Sequence, residues 1–143
     1  MKQATSVILV PDLSNPEMIV AVTRRNEFTL WGMPGGKQDP GETNLTCAYR
    51  EIAEETGVMC IPSMMIPIFV DVIYGRDEQH YWTTTYLYLP KAVGFGDMES
   101  GIKVAVQDML FLTYPDNSPF SSYNLNVLGA YRKYRNLMEN KDE

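Results

Sequence analysis

The chain opens on a β-branched run, TSVILV at 5–10, that stops at Pro11 and predicts a strand. PDLSNP reads as a turn, and EMIVAVTRR at 17–25 as a second buried strand. WGMPGGKQDPGE at 31–42 crowds glycine and proline together, which predicts irregular loop after at most a short extended piece. From Thr43 the period changes. Leu45, Ala48, Tyr49 and Ile52 recur at i, i+3, i+4 and i+7, an amphipathic helix that Thr43 or Asn44 caps and Gly57 ends. VMCIPSMMIPIFVDVIY predicts one or two strands bent at Pro62 and Pro67, HYWTTTYLYLP at 80–90 a strong strand, and IKVAVQDMLFL at 102–112 another. The tail SSYNLNVLGAYRKYRNLM predicts an amphipathic helix with Leu125, Leu128, Tyr131 and Leu137 on one face. The order β, β, helix, β, β, β, helix predicts a mixed sheet covered by two helices, and no linker divides the single domain expected over 1–143.

The first helix carries an anomaly. At about 100° per residue, Glu51, Glu54 and Glu55 share an arc beside the apolar stripe. Like charges at these spacings repel, and the C-terminal half of a helix is where the macrodipole disfavours them. Arg50 lies four residues before Glu54 and offsets part of the repulsion, but one arginine does not balance three acids. A solvated face is one reading. The other is a cation site, since clustered carboxylates are the hard oxygen donors that Mg2+ or Mn2+ takes.

Composition narrows the choice. The 143 residues are 45% hydrophobic and 21% charged, ordinary for a globular chain. A net charge of −6, from 18 acids against 12 bases, argues against stable nucleic-acid binding. An anionic partner would need local positive charge, which a divalent cation supplies. Cys47 and Cys60 lack a companion histidine at ligand spacing and read as reduced thiols. The opening MKQATSVILVPD has an apolar core too short for a signal peptide, and no run approaches the roughly 18 apolar residues of a membrane span. These features predict a soluble, cytoplasmic protein.

GKQDPGETNLTCAYREIAEETGV, 36–58, then decides between the readings. It resembles the Nudix box in full: glycine, five residues, glutamate, seven residues, then R-E-U-x-E-E-x-G-U with U bulky and apolar. The matching positions are Gly36, Glu42, Arg50, Glu51, Ile52, Glu54, Glu55, Gly57 and Val58. The resemblance implies an α/β/α sandwich around a mixed sheet, and hydrolysis of a diphosphate linkage in a nucleoside diphosphate derivative. It implies that Glu51, Glu54 and Glu55, with the Gly36 carbonyl, hold Mg2+, for which Mn2+ substitutes. Arg50 would orient the glutamates, Glu42 would support them, and Gly57 would close the helix. One of the three glutamates or a later acid would activate water.

Outside the box the candidates are less marked. Asp97 and Glu99 lie in a glycine-rich loop, and Glu99 is taken as the further catalytic acid. Arg25 and Lys37 are candidates for phosphate. Phe28, Trp31, Phe69, Tyr74, Tyr81 and Trp82 could stack on a base, and Trp31 and Tyr74 are taken as substrate-binding. In this family a tyrosine placed like Tyr74 accompanies dinucleoside polyphosphate hydrolysis. The expected substrate is a nucleoside triphosphate, oxidised ones included, or a dinucleoside polyphosphate. ADP-ribose or a nucleotide sugar is the alternative, and a nucleotide sensor without turnover is a further one. Monomer and homodimer both stay open.

Overall fold

The N-terminal β-branched run becomes the middle of a sheet. The computed structural model describes residues 1–24, 27–75, 77–89, 101–106, 108 and 119–140, with the backbone alone at 24, 27–31, 119–121 and 140. Strand β1 (Lys2–Leu9) lies between β4 (Gly35–Lys37) and β6 (His80–Tyr88), with β5 (Met65–Tyr74) beyond β6. β1 runs parallel to β6 and antiparallel to β4, and β5 is antiparallel to β6. A second sheet sets β2 (Met18–Arg24) between β3 (Glu27–Gly32) and β7 (Ile102–Ala105), both antiparallel to it.

Side chains alternate across a strand, and both faces of β1 are buried. Val7 and Leu9 join Val20, Tyr86 and Tyr88 beneath Ala48 and Ile52 of helix α1 (Asn44–Thr56). Ile8 and Val10 join Ile19, Ala21 and Leu87 beneath Tyr123, Val127, Leu128 and Tyr131 of helix α2 (Pro119–Asn140). Helices on two faces of a mixed sheet make the expected α/β/α sandwich. Hydroxyls tie α2 down: Thr85 Oγ1 lies 2.6 Å from both Ser6 Oγ and Tyr123 OH, and Tyr131 OH donates to the Pro16 carbonyl at 2.6 Å.

Three expectations need correction. The segment 31–42 is not all loop, because β3 runs to Gly32 and β4 occupies Gly35–Lys37. Glycine has little strand propensity, but pairing with β1 overrides that, and the missing Cβ is what permits it. A Cβ on Gly35 (φ 155°) would lie 2.2 Å from the Thr5 carbonyl oxygen. Second, β3 begins at Glu27, so the chain has a strand before the glycines that its pattern did not announce. Third, Leu125 and Leu137 of α2 are exposed, 52% and 71%. The buried face is drawn by Tyr123, Val127, Leu128 and Tyr131, the tyrosines burying their rings while their hydroxyls find partners. Pro62 opens a 3-10 turn, Pro62–Met64, and the register of β5 against β6 shifts between Pro67 and Phe69. Of the run 102–112, β7 takes Ile102–Ala105; residues 107 and 109–112 lie outside the described residues.

Candidate active site

Helix α1 starts and stops where its sequence says. The Thr43 hydroxyl accepts the Thr46 N–H at 3.1 Å. Gly57, at φ 79°, closes the helix with its N–H on the Ala53 carbonyl at 2.9 Å. The buried stripe therefore fixes the rotation of the helix, and that rotation turns the acids toward β4.

The Gly35–Gly36 backbone meets them. A Cβ on Gly36 would lie 2.6 Å from the Glu51 carboxylate, so only glycine lets that side chain lie against the strand. The Gly35 N–H donates to Glu55 Oε1 at 3.4 Å, and the Cys47 thiol donates to the Gly36 carbonyl at 3.6 Å.

Arg50 gathers the rest. Its Nε and Nη2 donate to the two oxygens of Glu42 at 2.6 and 2.9 Å, a bidentate pair. Its Nη1 donates to Glu51 Oε1 at 3.0 Å and to Glu54 Oε2 at 3.1 Å. Its Nη2 also donates to the Lys37 carbonyl at 3.2 Å and lies 3.4 Å from Asp39 Oδ2. The Asp39 N–H donates to Glu42 Oε1 at 2.8 Å, and the Gln38 amide donates to the Glu42 carbonyl. Arg50 in first place, and the Asp39 N–H after it, hold the Glu42 carboxyl below its usual range. Glu42, foremost among its partners, holds Arg50 above its ordinary value.

The three glutamates are not alike. The Glu54 side chain is 59% exposed and that of Glu51 15%. Burial, then a hydrogen bond with Glu51 and its charge, push the Glu55 carboxyl up to about 9. Such a carboxyl stays protonated at neutral pH until a positive charge arrives. Oxygen donors, with a strand bared of Cβ atoms beside them, fit a hard divalent cation. No three His, Cys, Asp or Glu side chains among the described residues converge as a ready cage. Arg50 holds one oxygen of Glu51 and one of Glu54.

The other candidates divide. Lys37 directs its ammonium to Asp77 Oδ2 at 3.1 Å rather than to the glutamates. Tyr74, half-exposed at the end of β5, sets its ring edge-on to His80 with centroids 4.9 Å apart, and no described contact ties it to the glutamates. Trp31 pairs with Thr23 in the β3–β2 ladder; its side chain, like Phe28, is outside the described set. Arg25, Asp97 and Glu99 lie outside the described residues. Asp39, Cys47 and Asp77 were not singled out from the sequence as site residues. The DPG turn three residues before Glu42 is a signal for Asp39; nothing in the linear pattern marks Asp77.

Known proteins share this chain's sequence pattern and fold. The NUDIX domain pattern matches residues 2–108. The chain is 38% identical over 66 residues to a putative 8-oxo-dGTP diphosphatase of Bacillus subtilis, covering 46% of this chain and 44% of that protein. It is 32% identical over 93 residues to an RNA pyrophosphohydrolase of Erythrobacter litoralis, covering 52% of this chain and 57% of that protein. It thus spans less than two thirds of the length of these curated relatives. The solution structure of the E. coli ORF135 protein shares the fold, with a TM-score of 0.64 at 15% identity over 94% of this chain and 91% of that one. With the pattern matched over most of its length and the box residues gathered around one arginine, the chain belongs to the Nudix family.

Proposed function

We propose that this chain is a Mg2+-dependent hydrolase, with Mn2+ able to substitute, that cleaves a diphosphate linkage in a nucleoside triphosphate, an oxidised one such as 8-oxo-dGTP included, or in a dinucleoside polyphosphate. The observation that carries the reading is the carboxylate cluster held by Arg50 against the Gly36 backbone. The family generally works with a divalent cation. Glu51, Glu54, Glu55 and the Gly36 carbonyl are the donors we assign to it. When bound, the cation neutralises phosphate oxygens and makes water a better nucleophile. Arg50 orients Glu51 and Glu54 through one hydrogen bond to each. Glu54, the most exposed of the three, is the one bulk water reaches most readily, and we assign it the proton from the attacking water. The free thiols Cys47 and Cys60 support a cytoplasmic setting, and no described helix is long and apolar enough to cross a membrane.

The neighbouring glycines separate fold from function. Gly35→Ala sets a Cβ against strand backbone and is expected to destabilise the fold by more than about 2 kcal/mol. Gly36→Ala sets it against the movable end of Glu51, so it should leave Tm nearly unchanged and weaken divalent-cation binding about 10- to 100-fold. Thermal melts and cation titrations on both variants check this; equal effects on Tm would contradict it.

The names of two relatives, RNA pyrophosphohydrolases, favour a second reading, an RNA substrate, against which the net charge of −6 argues. One panel decides: dGTP, 8-oxo-dGTP, a dinucleoside tetraphosphate, ADP-ribose and a 5′-triphosphate RNA, each with Mg2+ or Mn2+. Cleavage is expected for a mononucleotide or dinucleotide, and Glu54→Gln and Glu55→Gln should lose it. A wild type inactive on every member, or variants that match it, defeats the hydrolase reading.

A further inference from the structure

Lys37 serves two places at once. Its carbonyl accepts from Arg50 Nη2 at 3.2 Å, at the heart of the candidate active site. Its ammonium reaches Asp77 Oδ2 at 3.1 Å and stands 5.1 Å from the centroid of the Tyr81 ring. The two partners are held very differently. Asp77 is gripped from several sides: the Tyr81 hydroxyl donates to its Oδ2, and the Gln79 N–H donates to its Oδ1 at 3.1 Å. The turn beneath it is tailored to that end. A Cβ on Gly75 would lie 2.8 Å from both Asp77 Oδ1 and the Tyr81 ring. The Gly75 N–H donates to the Gln79 carbonyl at 2.7 Å, and Glu78 takes a φ of 63°, rare for a residue other than glycine. Lys37, by contrast, is a 62%-exposed ammonium on a flexible stem. The pair is therefore a fixed carboxylate and a movable cation, joined by the kind of exposed contact that is weakly held.

We propose that Asp77 is a resident counter-ion for Lys37, holding its ammonium while the site lacks substrate and yielding it to the polyphosphate of an arriving nucleotide. The inference rests on the hydrolase reading and deepens it by naming what sets substrate affinity. A polyphosphate carries several charges and displaces one carboxylate from a lysine; an anion of low charge competes poorly. Asp77 then biases the site toward long phosphate chains, and it does so without touching the reacting atoms. It is a positioning residue, acting through Lys37.

The test is a binding cycle on the full chain, with inorganic tripolyphosphate and Mg2+ in a calorimeter. Asp77→Asn keeps the shape and removes the charge. It should tighten Kd roughly 3- to 10-fold at low ionic strength, with the gain shrinking as salt rises. Lys37→Met should loosen Kd, and adding Asp77→Asn to it should change nothing further. Asp77→Ser serves as a second variant should the asparagine disturb the turn. Unchanged or weaker binding in both Asp77 variants overturns the proposal, as does an equal gain in the Lys37→Met background, which would mean general electrostatics. Because binding is read directly, the two ideas fail separately. Tightening without any nucleotide cleavage defeats only the hydrolase reading. Cleavage without tightening defeats only the role of Asp77.

Discussion

Glu55→Gln is expected to abolish turnover while making the metal-free protein more stable at neutral pH. The two effects have one origin. The carboxyl is pushed up to about 9 from an ordinary 4.5, by burial first and Glu51 second. In the unfolded chain it ionises once pH passes 4.5; in the folded chain it keeps its proton until about 9. Ionisation thus favours the unfolded state, and folded stability falls as pH climbs through that window. Glutamine has the shape of the protonated acid and never ionises, so the penalty disappears. In EDTA at pH 8 the variant should melt a few degrees above wild type, and near pH 4 the two should coincide. With Mg2+ the order should reverse, because wild type gains a ligand that the variant holds poorly. Turnover should drop at least about 10²- to 10³-fold, the range for losing one group aimed at transition-state charge. A Glu55→Gln protein that melts below wild type in EDTA at pH 8 would show that the buried carboxyl is not neutral.

Arg50→Ala should be the most destabilising single change in the box, and for a reason that is not catalytic. The guanidinium satisfies Glu42, whose side chain is 12% exposed, along with Glu51, Glu54 and the Lys37 carbonyl. Removing it leaves at least three carboxylates facing one another without a cation, which is the costly way to break such a cluster. We expect a Tm loss of many degrees and, in protein that remains folded, activity lower by about 10- to 100-fold, the usual cost of losing a group that orients metal ligands. Arg50→Lys should recover little, because three donors on a point charge do not reproduce the planar fork that grips Glu42 at 2.6 and 2.9 Å. Divalent cation should raise the Tm of the alanine variant more than that of wild type, since it restores part of the missing positive charge. A lysine variant equal to wild type in both melt and rate would sink this account.

What could be read from the linear pattern follows from how far apart the partners lie. The box is contiguous and its helix carries its own stop at Gly57, so the acids, their shared arc and the arginine four residues from Glu54 were all visible. The order of strands and helices also predicts a mixed sheet covered by two helices, and the resemblance to the box implies the sandwich. The glycine-rich stretch reads as loop because local propensity says loop, whereas β4 exists only through its pairing with β1. Asp77 was hidden because its partner Lys37 lies 40 residues away, across a turn whose sequence is unremarkable. On α2 the predicted face holds at Leu128 and Tyr131 and fails at Leu125 and Leu137, because Tyr123 and Val127 complete the buried side.

The pairing of β1 with β6 has a consequence for how the protein is made. These strands are parallel, and contacts such as Ser6 to Thr85 join residues 79 apart. A nascent chain that has emerged as far as Gly57 already carries every glutamate of the box, and β1 can find β4. It still lacks the second neighbour of β1 and half of the apolar floor on which α1 rests, Tyr86 and Tyr88 among it. Closing so distant a pairing is slow, because the chain loses entropy before the contacts repay it. During that interval the charged helix rests on only part of its floor, and affinity for a divalent cation should reach its full value late in synthesis, as a property of the finished sheet.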